Sequence, residues 1–235
     1  MVYTWGCYIN FIKREFCMKI KYFYDEDSNT FSYLIIDCST KSCAIIDSVL
    51  GYNIYTGKFN TLFADKILNY VRKNKLKCEW ILETHIHADH ITAAKYLKSK
   101  LNSKIGIGEG VKCVFDHWKK VFNFKTEKFN YFDKLFYDNE IINIGKIKVK
   151  IMFTPGHTPG CISYYIKDNI FVGDTLFMPR SGTARTDFPG GCASQLFESI
   201  KKILKLPNKT KIFICHDYPI IKASSKRDSF FPVDS

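Results

Sequence analysis

No apolar stretch of this 235-residue chain is long enough to cross a bilayer, so no membrane-spanning helix is expected. Cys-x-x-Cys pairs are missing, and the nine cysteines make an odd number. Several sit in apolar strand-like runs such as Ile-Phe-Ile-Cys215. Buried free thiols in a reducing compartment account for that pattern; a disulfide framework does not. Residues 1–17 lack the order of charged region, apolar core and small cleavage residues that export requires. They read as an N-terminal extension or weak tether, with Met18 a natural start, and the cytoplasm is the expected compartment. Repeats and composition breaks are also lacking, so residues 18–235 are expected to form one domain.

Acidic residues are in deficit: 23 Asp and Glu against 35 Lys and Arg leave a net charge of +12. The basic residues are spread along the chain, many on amphipathic stretches such as Lys66, Arg72 and Lys73, or Lys201, Lys202 and Lys205. A solvated basic surface is the plain explanation, and no nucleic-acid partner is expected. The competing explanation is a binder of RNA or acidic protein, whose affinity would fall steeply with salt and ignore chelators. An anionic small substrate would be drawn in by the same field.

The hydrophobic fraction, 46%, suffices for a substantial core. Apolar and β-branched runs predict strands at 30–37 and 42–47, a hairpin, and then at 79–83, 104–108, 147–153, 161–166, 170–172 and 211–215. Helical spacing predicts helices over 60–75, 89–101, 111–122 and 193–204. That order suggests two β-sheets face to face with helices outside.

Histidine is scarce, with six in the chain, yet three stand in Thr84-His85-Ile86-His87-Ala88-Asp89-His90. His157 lies in Thr-Pro-Gly-His-Thr-Pro-Gly, His216 in Cys-His-Asp-Tyr, and Asp174 in Gly-Asp-Thr-Leu-Phe. Each follows the carboxyl end of a predicted strand. Loops there are free to aim ligands, while the sheets fix their spacing. Imidazole and carboxylate are metal ligands, so the pattern points to a metal site on the rim. The prolines and glycines around His157 suit a rigid ligand holder. Asp174 ends an apolar strand, where binding a cation would offset its desolvation. The sixth histidine, His117, reads as an ordinary helix residue.

Together these motifs resemble the metallo-β-lactamase superfamily, over roughly residues 20–218. The resemblance implies an αββα sandwich, two mixed β-sheets flanked by helices, and a metal-dependent reaction. Gly182-Thr183-Ala184-Arg185-Thr186-Asp187-Phe188-Pro189-Gly190-Gly191 is similar to the persulfide dioxygenase branch, in particular its bacterial β-lactamase-like hydrolase group. That branch uses one Fe(II) per chain and O2 to oxidise glutathione persulfide to sulfite and glutathione. The implied iron ligands are His85, His157 and Asp174. His87, Asp89, His90 and His216 then serve as outer groups or hold a second metal. Arg185 and Tyr218 are the implied substrate contacts, with an ion pair to Asp187 the alternative for Arg185 and plain packing the alternative for Tyr218. The resemblance leaves room for a homodimer. The alternative activity is glyoxalase-II-like thioester hydrolysis on two Zn(II) or mixed Zn/Fe ions. Cys192 and Arg180 depart from acidic positions of the family pattern, and the tail after His216, with Ser224–Asp228, only faintly resembles the family's substrate-closing segment.

Overall fold

The computed structural model describes residues 17–125 and 130–218. Residues 1–16 of the expected extension and the tail segment 224–228 lie outside them. In chain order the strands are β1 (Met18–Asp25), β2 (Thr30–Asp37), β3 (Ser42–Ile46), β4 (Val49–Asn53) and β5 (Lys58–Asn60), before helix α1 (Leu62–Lys73). Strands β6 (Lys77–Leu82) and β7 (Ile91–Thr92) lead to α2 (Ala94–Leu101), and β8 (Lys104–Gly108) to α3 (Val111–Val121). Then follow β9 (Lys134–Phe136), β10 (Ile141–Ile144), β11 (Ile147–Phe153), β12 (Ile162–Ile166), β13 (Asn169–Phe171), α4 (Ala193–Leu204) and β14 (Lys211–Phe213).

Two mixed sheets carry the molecule. One has the order β1-β2-β3-β6-β8-β9, the other β10-β11-β12-β13-β14, and a small third sheet joins β5, β4 and β7. Strand β2 shows why the sheets must be covered. All eight of its residues are buried, the mark of a strand packed on both faces. Tyr33 and Ile35 join a cluster that includes Ile144, Ile151 and Tyr164 of the second sheet. Leu34 and Ile36, pointing the other way, join one that includes Phe63, Ile67 and Val71 of α1 and Leu97 of α2. The period-2 alternation of a strand thus serves two cores at once. Each fully buried Leu, Ile or Phe contributes about 1.5–3 kcal/mol.

Helix α1 forms because Phe63, Ala64, Ile67, Leu68 and Val71 fall on one stripe, and Asn74 with left-handed Lys75 ends it. Helix α4 places Ile203 in the cluster of the second sheet. The predicted helix over 89–101 is corrected here: Ile91–Thr92 pair with Val49–Leu50, and the helix starts only at Ala94. The ladder holds the chain extended there, and the Thr92 hydroxyl, accepting the Ala94 N–H, starts the helix late. The helix expected over 60–75 also begins two residues later, after Asn60 has paired with Gly51. The strand expected to reach Cys215 ends at Phe213, where its pairing with Phe171 stops. Edge strands β1, β9 and β10 and the β4–β5 hairpin carry mixed polar and apolar residues, which hid them from periodicity.

Braces lock the two sheets together at one rim. The Phe31 N–H donates to the Cys215 carbonyl at 2.7 Å and the Ile162 N–H to the Thr84 carbonyl at 2.9 Å. The buried Tyr164 hydroxyl donates to the Glu83 carbonyl at 2.7 Å, and that of Tyr33 to the Ile214 carbonyl at 2.6 Å. No described helix is long and apolar enough to cross a membrane, and none of the described cysteines forms a disulfide.

Candidate metal centre

The braced rim is where the histidines meet. Strand β6 ends at Leu82 and delivers His85; β11 ends at Phe153 before His157; β13 ends at Phe171 before Asp174; β14 ends at Phe213 before His216. His85, His157 and Asp174 are buried and bring one ligand atom each within 4.8 Å of one another. The Nε2 atoms of His85 and His157 lie 3.7 and 3.6 Å from Asp174 Oδ2.

The hydrogen bonds behind these rings fix what faces the centre. Thr84 Oγ1 donates to Asp47 Oδ2 at 2.9 Å. Its hydroxyl proton is therefore spent, and toward His85 Nδ1, 3.0 Å away, it acts as acceptor. His157 Nδ1 lies 2.8 Å from the Arg185 carbonyl oxygen, which can only accept. Both imidazoles thus carry their proton on Nδ1 and turn an Nε2 lone pair toward a carboxylate oxygen. Nothing among the described residues stabilises that meeting, for His85 Nε2 is buried without a hydrogen-bond partner among them. A cation satisfies it, and outer partners of this kind orient histidine ligands in metal sites. Burial and the neighbouring imidazoles of His87 and His157 hold His85 well below its ordinary range, hence neutral and able to ligate. Burial pushes the Asp174 carboxyl up, but His216 and His157 outweigh it and keep the group ionised.

A second set adjoins the first. His87, Asp89, His90 and His216 also bring ligand atoms within 4.8 Å of one another. Here the groups pair among themselves: His216 Nε2 is 3.2 Å from Asp89 Oδ2 and 3.3 Å from Asp174 Oδ1, and His90 Nδ1 is 3.3 Å from Asp89 Oδ1. His87 Nε2 lies 3.2 Å from Asp47 Oδ1 and 3.4 Å from Glu83 Oε2. Burial opposes charge on His87, yet those two carboxylates outweigh it and raise its pKa well above the ordinary value. His87 Nδ1 and His90 Nε2 are buried without partners, so this set too has donors to offer a metal.

Two glycines permit the convergence. Gly156 has φ +144°, and a Cβ there would lie 2.4 Å from Leu196 Cα; Gly173 has φ +52°, and its Cβ would lie 2.5 Å from Thr84 Oγ1. The loops of His157 and Asp174 reach the rim because Gly156 and Gly173 carry no side chain.

The implied substrate contacts fall differently. The Arg185 guanidinium is exposed, paired bidentately with Asp187 and stacked over Phe188 with 5.0 Å to the ring centroid. The ion pair, the alternative noted for this residue, is what forms. Tyr218 stacks on His216 at 5.2 Å between centroids and meets Phe177 edge-on. His117 sits on α3 and belongs to neither histidine set. Sequence reasoning passed over Asp47, Glu83 and Thr30. Asp47 ends an apolar strand as Asp174 does, and that signal could have found it. Thr30, whose hydroxyl lies 3.2 Å from His216 Nδ1, carries no such mark.

Residues 25–216 match the model of the metallo-β-lactamase superfamily. The chain belongs to the metallo-β-lactamase superfamily. Its αββα fold, read from the sequence, is the superfamily's. Among its relatives, Glyoxylase B2 of Dictyostelium discoideum is 52% identical over 207 residues, covering 86% of this chain and 70% of that protein. Persulfide dioxygenase ETHE1, mitochondrial, of Homo sapiens is 29% identical over 205 residues, covering 85% and 68%. The crystal structure of ETHE1 from Myxococcus xanthus superposes with a TM-score of 0.70 at 29% identity, covering 86% of this chain and 76% of that one. Bacterial proteins named beta-lactamase hydrolase-like are relatives as well; the chain spans about half of the Xylella fastidiosa one, 50% of its length. Metal-dependent chemistry is common to these superfamily enzymes, and the histidine–aspartate cluster fits it.

Two cavities border the centre. One of about 300 Å³ is lined by Val114 and Trp118 of α3, by Phe122 just after it, by Phe188 and Pro189, and by His157. The other, about 640 Å³, is lined by His85, His87 and His90 together with Glu83, Lys95 and Tyr131.

Proposed function

We propose that the protein is an iron(II)-dependent persulfide dioxygenase acting on a small anionic persulfide of the glutathione type. The overall change is persulfide plus O2 plus water to thiol, sulfite and two protons. The observation that carries this reading is the meeting of two imidazole lone pairs and one carboxylate oxygen, from His85, His157 and Asp174, beside a cavity. Two histidines and one carboxylate suit non-haem iron and leave positions open for small ligands. When bound, iron supplies a site where a sulfur and O2 exchange electrons. The chain supplies the rest. Thr84 and the Arg185 carbonyl hold the two rings in the ligating tautomer. Asp89, tied to His90 and His216, balances charge without a second ion. The apolar walls from Trp118, Phe122 and Phe188 exclude water from the sulfur. The likeness to persulfide dioxygenases supports the same reading.

A second reading rests on the adjoining set. His87, Asp89, His90 and His216 retain donors for another metal, and with Asp174 between two ions the centre would suit a thioester hydrolase, as the likeness to Glyoxylase B2 allows. Elemental analysis of anaerobically purified protein, with O2 uptake and sulfite release on adding glutathione persulfide, separates the two. One iron per chain with coupled O2 loss and sulfite gain is expected. Two metals per chain with thioester hydrolysis and no O2 uptake would replace the first reading by the second.

A further inference from the structure

The proposed substrate bears carboxylates, and the centre needs a cation to receive them. Arg185, the residue implied by resemblance, lines neither cavity; its guanidinium is occupied by Asp187 outside them. The 300 Å³ cavity is lined by apolar side chains, imidazoles and a threonine, with no lysine or arginine among its described lining residues. An anionic group placed there would lose its hydration without a partner.

The 640 Å³ cavity is different. It shares His85, His87 and His90 with the candidate centre and has a volume ordinary for small-molecule sites, about 300–1,000 Å³. Lys95, in the first turn of α2, supplies the one lysine or arginine among its described lining residues. Unlike Lys98, which binds Asp133, and Lys202, which binds Asp138, Lys95 is paired with no described carboxylate. Tyr131 and Asn130 line the same wall and offer neutral donors. The cavity also holds one acid, Glu83, but its Oε1 accepts the Thr92 hydroxyl at 2.6 Å and its Oε2 faces His87. Glu83 is thus turned to the metal side, and Lys95 is left for a ligand.

We propose that Lys95 is the specificity-determining residue that receives a carboxylate of the thiol substrate, with Tyr131 and Asn130 beside it, so that the substrate lies along the α2 side of the centre. This rests on the persulfide reading for the reaction but not for the binding. Lys95 is itself exposed, so its pair with a carboxylate is screened by water and is worth roughly a few-fold in affinity.

The test uses the iron-loaded full chain. With glutathione persulfide, Lys95→Ala should raise KM roughly three- to fivefold while kcat falls far less, and Lys95→Arg should restore most of the KM. An uncharged alkyl persulfide should show no such rise, nor should the charge-matched Lys73→Ala on α1. Iron per chain should stay constant throughout. An unchanged KM for glutathione persulfide in Lys95→Ala, or an equal rise for the uncharged persulfide, overturns the assignment. If the wild type consumes no O2 with any persulfide, the reaction is wrong, and calorimetry with S-methylglutathione decides Lys95 separately. Binding roughly three- to fivefold weaker in Lys95→Ala then supports it; equal binding, or no binding to the wild type, overturns it.

Discussion

The two halves of the histidine cluster are built from the same residue types and behave differently. In the half of His85, His157 and Asp174, every ring proton is directed outward, to Thr84 or to the Arg185 carbonyl, and bare lone pairs face inward. In the half of His87, Asp89, His90 and His216, a carboxylate stands between two imidazoles at 3.2 and 3.3 Å and the groups partly satisfy one another. The difference teaches that ligand type does not settle occupancy. In both halves a hydroxyl backs a ring, Thr84 behind His85 and Thr30 behind His216. His85 Nε2, His87 Nδ1, His90 Nε2 and His216 Nε2 are all buried without a hydrogen-bond partner among the described residues, so the halves differ in their internal ion pairs and not in having nitrogens to offer a cation.

The largest effect should come from the half of His85, His157 and Asp174. His85→Ala or Asp174→Ala should abolish metal retention and, with it, all O2 uptake; iron held at the wild-type level would refute the ligand assignment. Asp89→Ala sharpens the contrast. On the one-iron reading it leaves iron near one per chain and lowers activity by about 10–100-fold, the usual cost of an outer partner. A fall from two metals to one would instead make the halves equals. Thr84→Val removes the hydroxyl that sets the His85 tautomer and should weaken metal affinity by roughly tenfold; chelator titration of the loaded protein measures it, and wild-type affinity would show that the back bond is idle. Gly156→Ala tests the loop rather than a ligand. Its Cβ collides with Leu196 backbone, so a stability loss of about 1–3 kcal/mol is expected in urea unfolding. Arg185→Ala should have the smallest effect on urea unfolding and on iron content, since its exposed pair with Asp187 is screened by water and the carbonyl that holds His157 survives the change.

Much of the fold was legible because burial leaves a period in the sequence. Strands β2, β3, β8, β11 and β12 and helices α1, α3 and α4 stand within a residue or two of where their apolar spacing puts them. Strands β1, β9 and β10 were not, because edge strands face water on one side and carry Lys, Asp and Asn among their apolar residues. The late start of α2 was illegible for another reason: the pairing of Ile91–Thr92 with β4 is a contact between residues about forty positions apart.

The same line divides the site. Residue type and position after strand ends are local properties, so the sequence by itself determined which side chains gather: His85, His87, Asp89, His90, His157, Asp174 and His216. It determined the superfamily and the αββα frame by the same route. Only the tertiary structure decided what stands behind the rings, since Asp47 reaches His87, Thr30 reaches His216 and the Arg185 carbonyl reaches His157 from distant turns of the chain. It alone decided, too, that Arg185 faces Asp187 while Lys95 faces a cavity. Hydrogen-bond direction and solvent exclusion are properties of folded space, and no spacing along the chain records them.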